Sequence, residues 1–428
     1  MKTKHKFNTP GISELLSKYH LKAINTQKQS FRKGAVYELF DIITKHFLTK
    51  NMNCMTFLIR RSSTLVREKI HNWTRVPHYN VLCIGNSAHG KTRLAHELSG
   101  LSFEDLSRQS GSFNQPEEED RRKSTKSTCF VEYEFDQLHF AHLDTPGEFY
   151  SNNLVAAYSA FDIVIWVINK NIGLETTDHV KLAKKICPEE FEKRTCVYID
   201  DQDLEDSELG DLLQEEIDGA VKELQIPSCN VTLQSSGNLK SVLSNIVSSV
   251  QTTAWYRNDP LTHLPIERSF PVTGVGQIAV GILKGNKNST WKPKMSLELV
   301  GENNILPVEM IQTGMFYKTL KQSEVGDRVN SLIKSNVKKF GKLVNRGGVL
   351  VPEGYGQKYH KDEFSFEPEI DLSKNYRRAA AHTWDVSIKE IGKNCVKLDK
   401  KYFIRPGDKV TFFAKDPNNR GFETVRVT

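Results

Sequence analysis

The chain has 428 residues, enough for two to four domains, and no run approaches the ~20 consecutive apolar residues of a membrane-spanning helix. Its seven cysteines (Cys54, Cys83, Cys129, Cys187, Cys196, Cys229, Cys395) are dispersed without a C-x-x-C pair, which excludes a zinc ribbon or disulfide framework and suits a reducing compartment. The net charge of +7 is uneven: residues 1–75 hold 15 Lys/Arg against Glu14, Glu38, Asp41 and Glu68, so the rest of the chain is net acidic and is no general nucleic-acid surface.

Residues 1–78 read as an extension with helical patterns over 11–23 and 35–48. Within it, Met55–Ile70 is rich in Arg and hydroxyl residues, and its single acid is Glu68. As a helix it would set Leu58, Leu65 and Ile70 beside Arg60, Arg61 and Arg67, the pattern of an organellar transit peptide. Two readings stand: a transit segment, with Met55 or Met1 as the start, or a basic helical arm packed on the body.

Tyr79–Ile84 is a short apolar run, followed by Gly85-Asn86-Ser87-Ala88-His89-Gly90-Lys91-Thr92 and then a helical pattern from Arg93. A strand, a glycine loop and a helix N-terminus converge backbone N–H groups on one point, which suits a di- or triphosphate. Lys91 is the expected β/γ-phosphate ligand, and the Thr92 hydroxyl the expected Mg²⁺ ligand.

Strands are expected at 129–135, 138–143, 163–168 and 195–199, separated by helical patterns as in a parallel βα sheet. Leu138–Leu143 runs into Asp144-Thr145-Pro146-Gly147. There Asp144 can hold Mg²⁺ through water, and the Gly147 N–H can touch a γ-phosphate.

These residues resemble the translational GTPases, and within them elongation factor Tu of the mitochondrial type. The family's GHVDHGKT falls on 85–92, and its RGITI on Arg122-Lys123-Ser124-Thr125-Lys126. Val308-Glu309-Met310, Arg405-Pro406-Gly407-Asp408 and Leu264–Phe270 extend the resemblance into two further domains. It implies an α/β P-loop GTPase domain followed by two β-barrel domains, the last one shortened. The expected layout is a GTPase domain at 79–252, a linker at 253–263, barrel II at 264–354 and a degenerate barrel III at 355–428 whose closing strands are missing.

The resemblance also assigns residues. Thr125 becomes a second Mg²⁺ ligand and γ-phosphate sensor; without the resemblance it reads as a solvated loop hydroxyl. The family's guanine motif Asn-Lys-x-Asp falls on Asp200-Asp201-Gln202-Asp203, which keeps the guanine-pairing Asp203 and loses the Asn and Lys. The serine of its last nucleotide motif falls on Ser235. Glu148 stands where a His orients the attacking water, so hydrolysis is expected to be slow, because a carboxylate there repels the charge that develops in transfer. Ala88 replaces an acid of the phosphate loop. Glu267 and Phe270 fall at the aminoacyl pocket, where Arg268 replaces an acid; the alternative for Phe270 is the barrel core.

The expected function is GTP/GDP- and Mg²⁺-dependent delivery of aminoacyl-tRNA to the ribosome in the mitochondrial matrix. The expected form is a monomer off the membrane, with a nucleotide exchange factor as a further partner. The alternative is a hydrolysis-deficient scaffold that binds tRNA or ribosome.

Overall fold

The computed structural model describes residues 75–87, 89–101, 128–147, 158–169, 172, 174–200, 207–233, 238–251, 253–272, 274–316, 318–414 and 421–428. The extension before residue 75, with its transit-like stretch, lies outside them. So do Ala88, Thr125, Glu148, Asp201, Gln202, Asp203 and Ser235.

The first body is a six-stranded sheet ordered β2-β3-β1-β4-β5-β6. Its strands are β1 (His78–Ile84), β2 (Cys129–Phe135), β3 (Leu138–Asp144), β4 (Ile163–Ile168), β5 (Thr195–Ile199) and β6 (Val231–Leu233). Strand β1 lies between β3 and β4, parallel to both. It is apolar on both faces because both are covered. Val81 and Cys83 face α1 (Lys91–Ser99) and α5 (Leu239–Ser249) through Leu94, Leu98, Leu243 and Ile246. Leu82 and Ile84 face α2 (Leu174–Ile186) and α4 (Ser207–Leu224) through Val180, Ala183, Leu213 and Ile217. The short α3 (Phe191–Arg194) precedes β5.

The sheet is not wholly parallel, as the βα pattern led us to expect. Strands β2 and β3 pair antiparallel, with Phe135 opposite Leu138. Only Asp136 and Gln137 join them, both at positive φ (48° and 58°), which is a hairpin link too short for a crossover.

Barrel II is built on the strand path β10-β7-β17-β12-β13-β16-β9-β8. These are β7 (Asn258–Pro265), β8 (Arg268–Val272), β9 (Gly276–Ile282), β10 (Lys284–Asn286), β12 (Ser296–Gly301), β13 (Asn304–Met315), β16 (Arg328–Lys334) and β17 (Val349–Pro352). The pair β11 (Thr290–Trp291) and β15 (Ser323–Glu324) lies apart, and β14 (Lys318–Leu320) adds to β13. The second half of the expected 253–263 linker is therefore strand β7. The first half is anchored too: Tyr256 is fully buried, and Arg257 pairs with Asp162 at 2.8 Å.

Barrel III corrects a second expectation. Its six strands are β18 (His360–Glu367), β19 (Tyr376–Ala381), β20 (Trp384–Ile391), β21 (Cys395–Phe403), β22 (Lys409–Ala414) and β23 (Phe422–Val427), and they close completely. No closing strand is missing, because β23 itself closes the barrel: Phe366 of β18 lies opposite Val427. The open edge anticipated from the short C-terminal segment is thereby paired.

Candidate nucleotide site

Three loops converge where β1, β3 and β5 end, at the carboxyl edge of the sheet and on either side of the central strand. Doubly wound sheets bind ligands in this crevice. The loop after β1 enters α1 through Gly90, which is left-handed at φ 83° and has the Asp200 carboxylate where a Cβ would stand. Any other residue there is strained and obstructed. Lys91 is 5% exposed, and its Nζ donates to the carbonyls of Gly85 at 2.9 Å and Asn86 at 2.7 Å. Burial lowers its pKa, against the nearby Asp144 charge. Its ammonium thus lies inside the loop whose N–H groups would cradle a phosphate chain. His89 is buried with Nδ1 3.3 Å from the Val167 carbonyl, and burial lowers its pKa.

Thr92 and Asp144, proposed from separate motifs, meet directly: the Thr92 hydroxyl donates to Asp144 Oδ2 at 2.6 Å. A hydroxyl and a carboxylate, both hard oxygen donors, fit Mg²⁺, which leaves its other positions to water and phosphate oxygens. Beyond Asp144, Thr145 donates to the Cys83 carbonyl at 2.7 Å, pinning this loop to β1. A Cβ on Gly147 would collide with the Ser87 backbone, so only glycine lets the two phosphate-facing loops touch.

Sequence reading missed two residues of this site. His179 on α2 is fully buried, with Nδ1 2.7 Å from the Tyr158 hydroxyl and Nε2 3.4 Å from the Gly147 carbonyl. Burial, with the Lys91 charge, lowers its pKa to about 3, so it is a neutral support beneath the Asp144–Gly147 loop. The second is Arg93, whose guanidinium pairs with Asp200, a carboxylate 1% exposed. The signal for this pair was in the sequence: an acid replaces the family's Asn, and a cation stands in the first turn of α1.

In barrel II, Glu267 is buried and pairs with Arg328 at 2.5 Å. Arg268 donates to the Thr128 carbonyl. Phe270 is half-buried in β8 and stands outside the hydrophobic cluster that fills the barrel. Arg346 donates to the Thr383 carbonyl at 3.3 Å. Burial lowers its pKa, as does the Arg268 charge, while the Asp385 and Glu267 charges work against this.

Residues 76–259 match the family model of the elongation factor Tu GTP binding domain. Among solved structures, the bacterial selenocysteine-specific elongation factor EF-Sec aligns with TM-score 0.65 and 18% identity, covering 83% of this chain and 58% of that one. This chain therefore spans less than two thirds of that relative's length. Translation elongation factor SelB from Methanococcus maripaludis, in complex with the GTP analogue GppNHp, aligns with TM-score 0.64 and 16% identity, covering 83% and 80%. Its apo form aligns at 0.60 with 13% identity over the same shares. At these identities the likeness is one of fold. The chain thus has a translation elongation factor-like GTPase fold, with a GTP-binding domain of the elongation factor Tu type followed by two β-barrels.

Proposed function

We propose that this chain is a GTP-dependent carrier of aminoacyl-tRNA to the ribosome, acting as a monomer in the mitochondrial matrix. The carrying observation is the convergence of Lys91, Thr92 and Asp144 on one point between two loops that only glycines allow to touch. In this reading Thr92, Asp144 and Thr125 hold Mg²⁺, which would neutralise charge between the β- and γ-phosphates. Gly85, Asn86, Ser87, Ala88, His89, Gly90 and Lys91 cradle the phosphates, Gly147 senses the γ-phosphate, and Asp203 reads guanine with Ser235 beside it. Glu148 makes hydrolysis slow, and a nucleotide exchange factor is the further partner we expect.

The test is equilibrium binding of fluorescent GTP, GDP and ATP analogues to the full chain, with and without Mg²⁺. Mg²⁺-dependent, guanine-selective binding supports the carrier. Equal ATP binding, or none, turns the reading to a scaffold for tRNA or ribosome. Reporter fusions starting at Met1 and at Met55 address the compartment: cytosolic signal from both overturns the mitochondrial reading.

A second reading concerns the cargo. The two named relatives include a selenocysteine-specific factor, and here Arg268, Arg328 and Arg346 stand with two carboxylates, Glu267 and Asp385. A selenol ionises more readily than a hydroxyl or thiol, so this charge balance favours an anionic aminoacyl group. Loss of discrimination between selenocysteinyl- and seryl-tRNA in Arg346→Met supports this reading; equal binding of both by the unmodified chain overturns it.

A further inference from the structure

Lys284, the first residue of β10, is 1% exposed, and its Nζ hydrogen-bonds to no described residue. The ammonium stands 4.7 Å from the centroid of the Trp255 ring, whose own Nε1–H is buried without a partner among the described residues. Both residues line a cavity of about 50 Å³ where the three domains meet. Tyr158 and Leu182 reach it from the GTPase domain, and His382 and Asp408 from barrel III. A buried ammonium without an acceptor is costly. The indole face favours the charged form but brings no counter-charge.

The carboxylates that act on Lys284 are committed elsewhere. Asp259 accepts from Arg405 through both oxygens at 2.6 Å, and Asp408 accepts from Arg405 at 2.7 Å and from His382 Nε2 at 2.9 Å. Glu267 is paired with Arg328. Burial lowers the Lys284 pKa to about 8, with the Asp259 and Asp408 charges working against this. Lys409 lines the same cavity, and its Nζ donates to the Ile186 carbonyl at 2.6 Å, a neutral partner. Glu189 and Arg426 act on Lys409 in opposite senses. Lys284, Lys409 and Arg405 therefore face Asp259 and Asp408, and the cluster is left with an excess of positive charge. A water in the cavity can accept from Lys284 and donate to the unpartnered His382 Nδ1, but it leaves that charge uncompensated.

We propose that this cavity binds one small monovalent inorganic anion of the halide class, held by the Lys284 ammonium and the Trp255 indole N–H. A single negative charge balances the cluster, and a volume of about 50 Å³ admits a halide but not a sugar acid or a nucleotide. Because the walls come from all three domains, the anion stabilises their junction according to its occupancy.

The test uses the full chain without nucleotide, so it stands whether or not the GTP reading does. Thermal melts compare sodium chloride with sodium gluconate at matched ionic strength, and bromide quenching of tryptophan fluorescence reports on the ring beside Lys284. Chloride is expected to raise the Tm saturably, by about 2 °C over gluconate. Lys284→Met is expected to abolish that difference, and Lys400→Met, at an exposed lysine, to keep it. Trp255→Phe removes one donor and is expected to raise the chloride midpoint about fivefold. Bromide is expected to quench a saturable component that is lost in Trp255→Phe, a readout that holds even where Lys284→Met fails to fold. Equal melts in chloride and gluconate overturn the proposal and leave a water in the cavity. A chloride effect that survives in folded Lys284→Met overturns it as well, as does bromide quenching that never saturates.

Discussion

Arg93, two residues beyond the phosphate-loop lysine, pairs with the buried carboxylate of Asp200 at the end of β5. The pair ties the phosphate loop's helix to the loop that leads to the base-reading position. It explains how an acid is tolerated where the family has an amide. The exposures are unequal, 29% for the Arg93 side chain and 1% for Asp200. Arg93→Ala strands a buried charge and is expected to lower stability by about 3 kcal/mol. Asp200→Asn leaves a guanidinium that water can reach, and about 1 kcal/mol is expected. Urea denaturation of both variants checks the asymmetry; equal losses would remove this account of Asp200.

Thr92→Ala removes one of the two oxygen donors that meet at 2.6 Å and leaves the loop's backbone intact. We expect nucleotide affinity to fall at least tenfold with Mg²⁺ present and to change little in EDTA. A loss of the same size in EDTA would mean that the hydroxyl supports the loop rather than a cation.

Stability should depend on pH through buried histidines. Burial lowers His142 to about 3, and burial with the Lys91 charge lowers His179 to about 3. Unfolded, each titrates near 6.5, so between about pH 3 and 6.5 the unfolded state binds more protons. Stability is then complete above 6.5 and falls as pH drops, by about 1.4 kcal/mol per pH unit for each histidine. Urea unfolding from pH 7.5 to 5 measures the slope. His142→Phe should lower the slope by about 1.4 kcal/mol per pH unit and leave the His179 share; an unchanged slope would show that His142 does not contribute.

Arg405 closes the barrel II–barrel III junction. It pairs through two 2.6 Å bonds with Asp259 and at 2.7 Å with Asp408, all three residues less than a tenth exposed. Burial raises the Asp259 pKa, but the Arg405 hydrogen bonds more than offset this and keep it ionised. Arg405→Met takes the shared guanidinium from the buried carboxylates of Asp259 and Asp408, the latter keeping His382 and the residue 405 N–H, and a loss of about 3–5 kcal/mol is expected, with barrel III melting as a separate transition. A single unshifted calorimetric transition would show that the junction is not held by this residue.

The local elements of the nucleotide site were legible because their signals are short-range. The phosphate loop is one contiguous stretch whose glycines and lysine are set by the backbone path of a single turn. Strands β1, β4 and β5 announce themselves as apolar runs because both of their faces are covered. Barrel III was misjudged for the opposite reason: closure depends on β18 meeting β23, a pairing between residues about 60 apart that no local pattern encodes.

By itself the amino-acid sequence singled out the candidates for holding phosphate and cation, since that reading follows from residue type and spacing within two short motifs, the phosphate loop and Asp144–Gly147. Only the tertiary structure decided their company. Thr92 meets Asp144 across 52 positions, Asp162 receives Arg257 across 95 and Asp259 receives Arg405 across 146. The physical reason is burial: a charge removed from water must find its partner wherever packing brings one, and packing is a property of the whole fold.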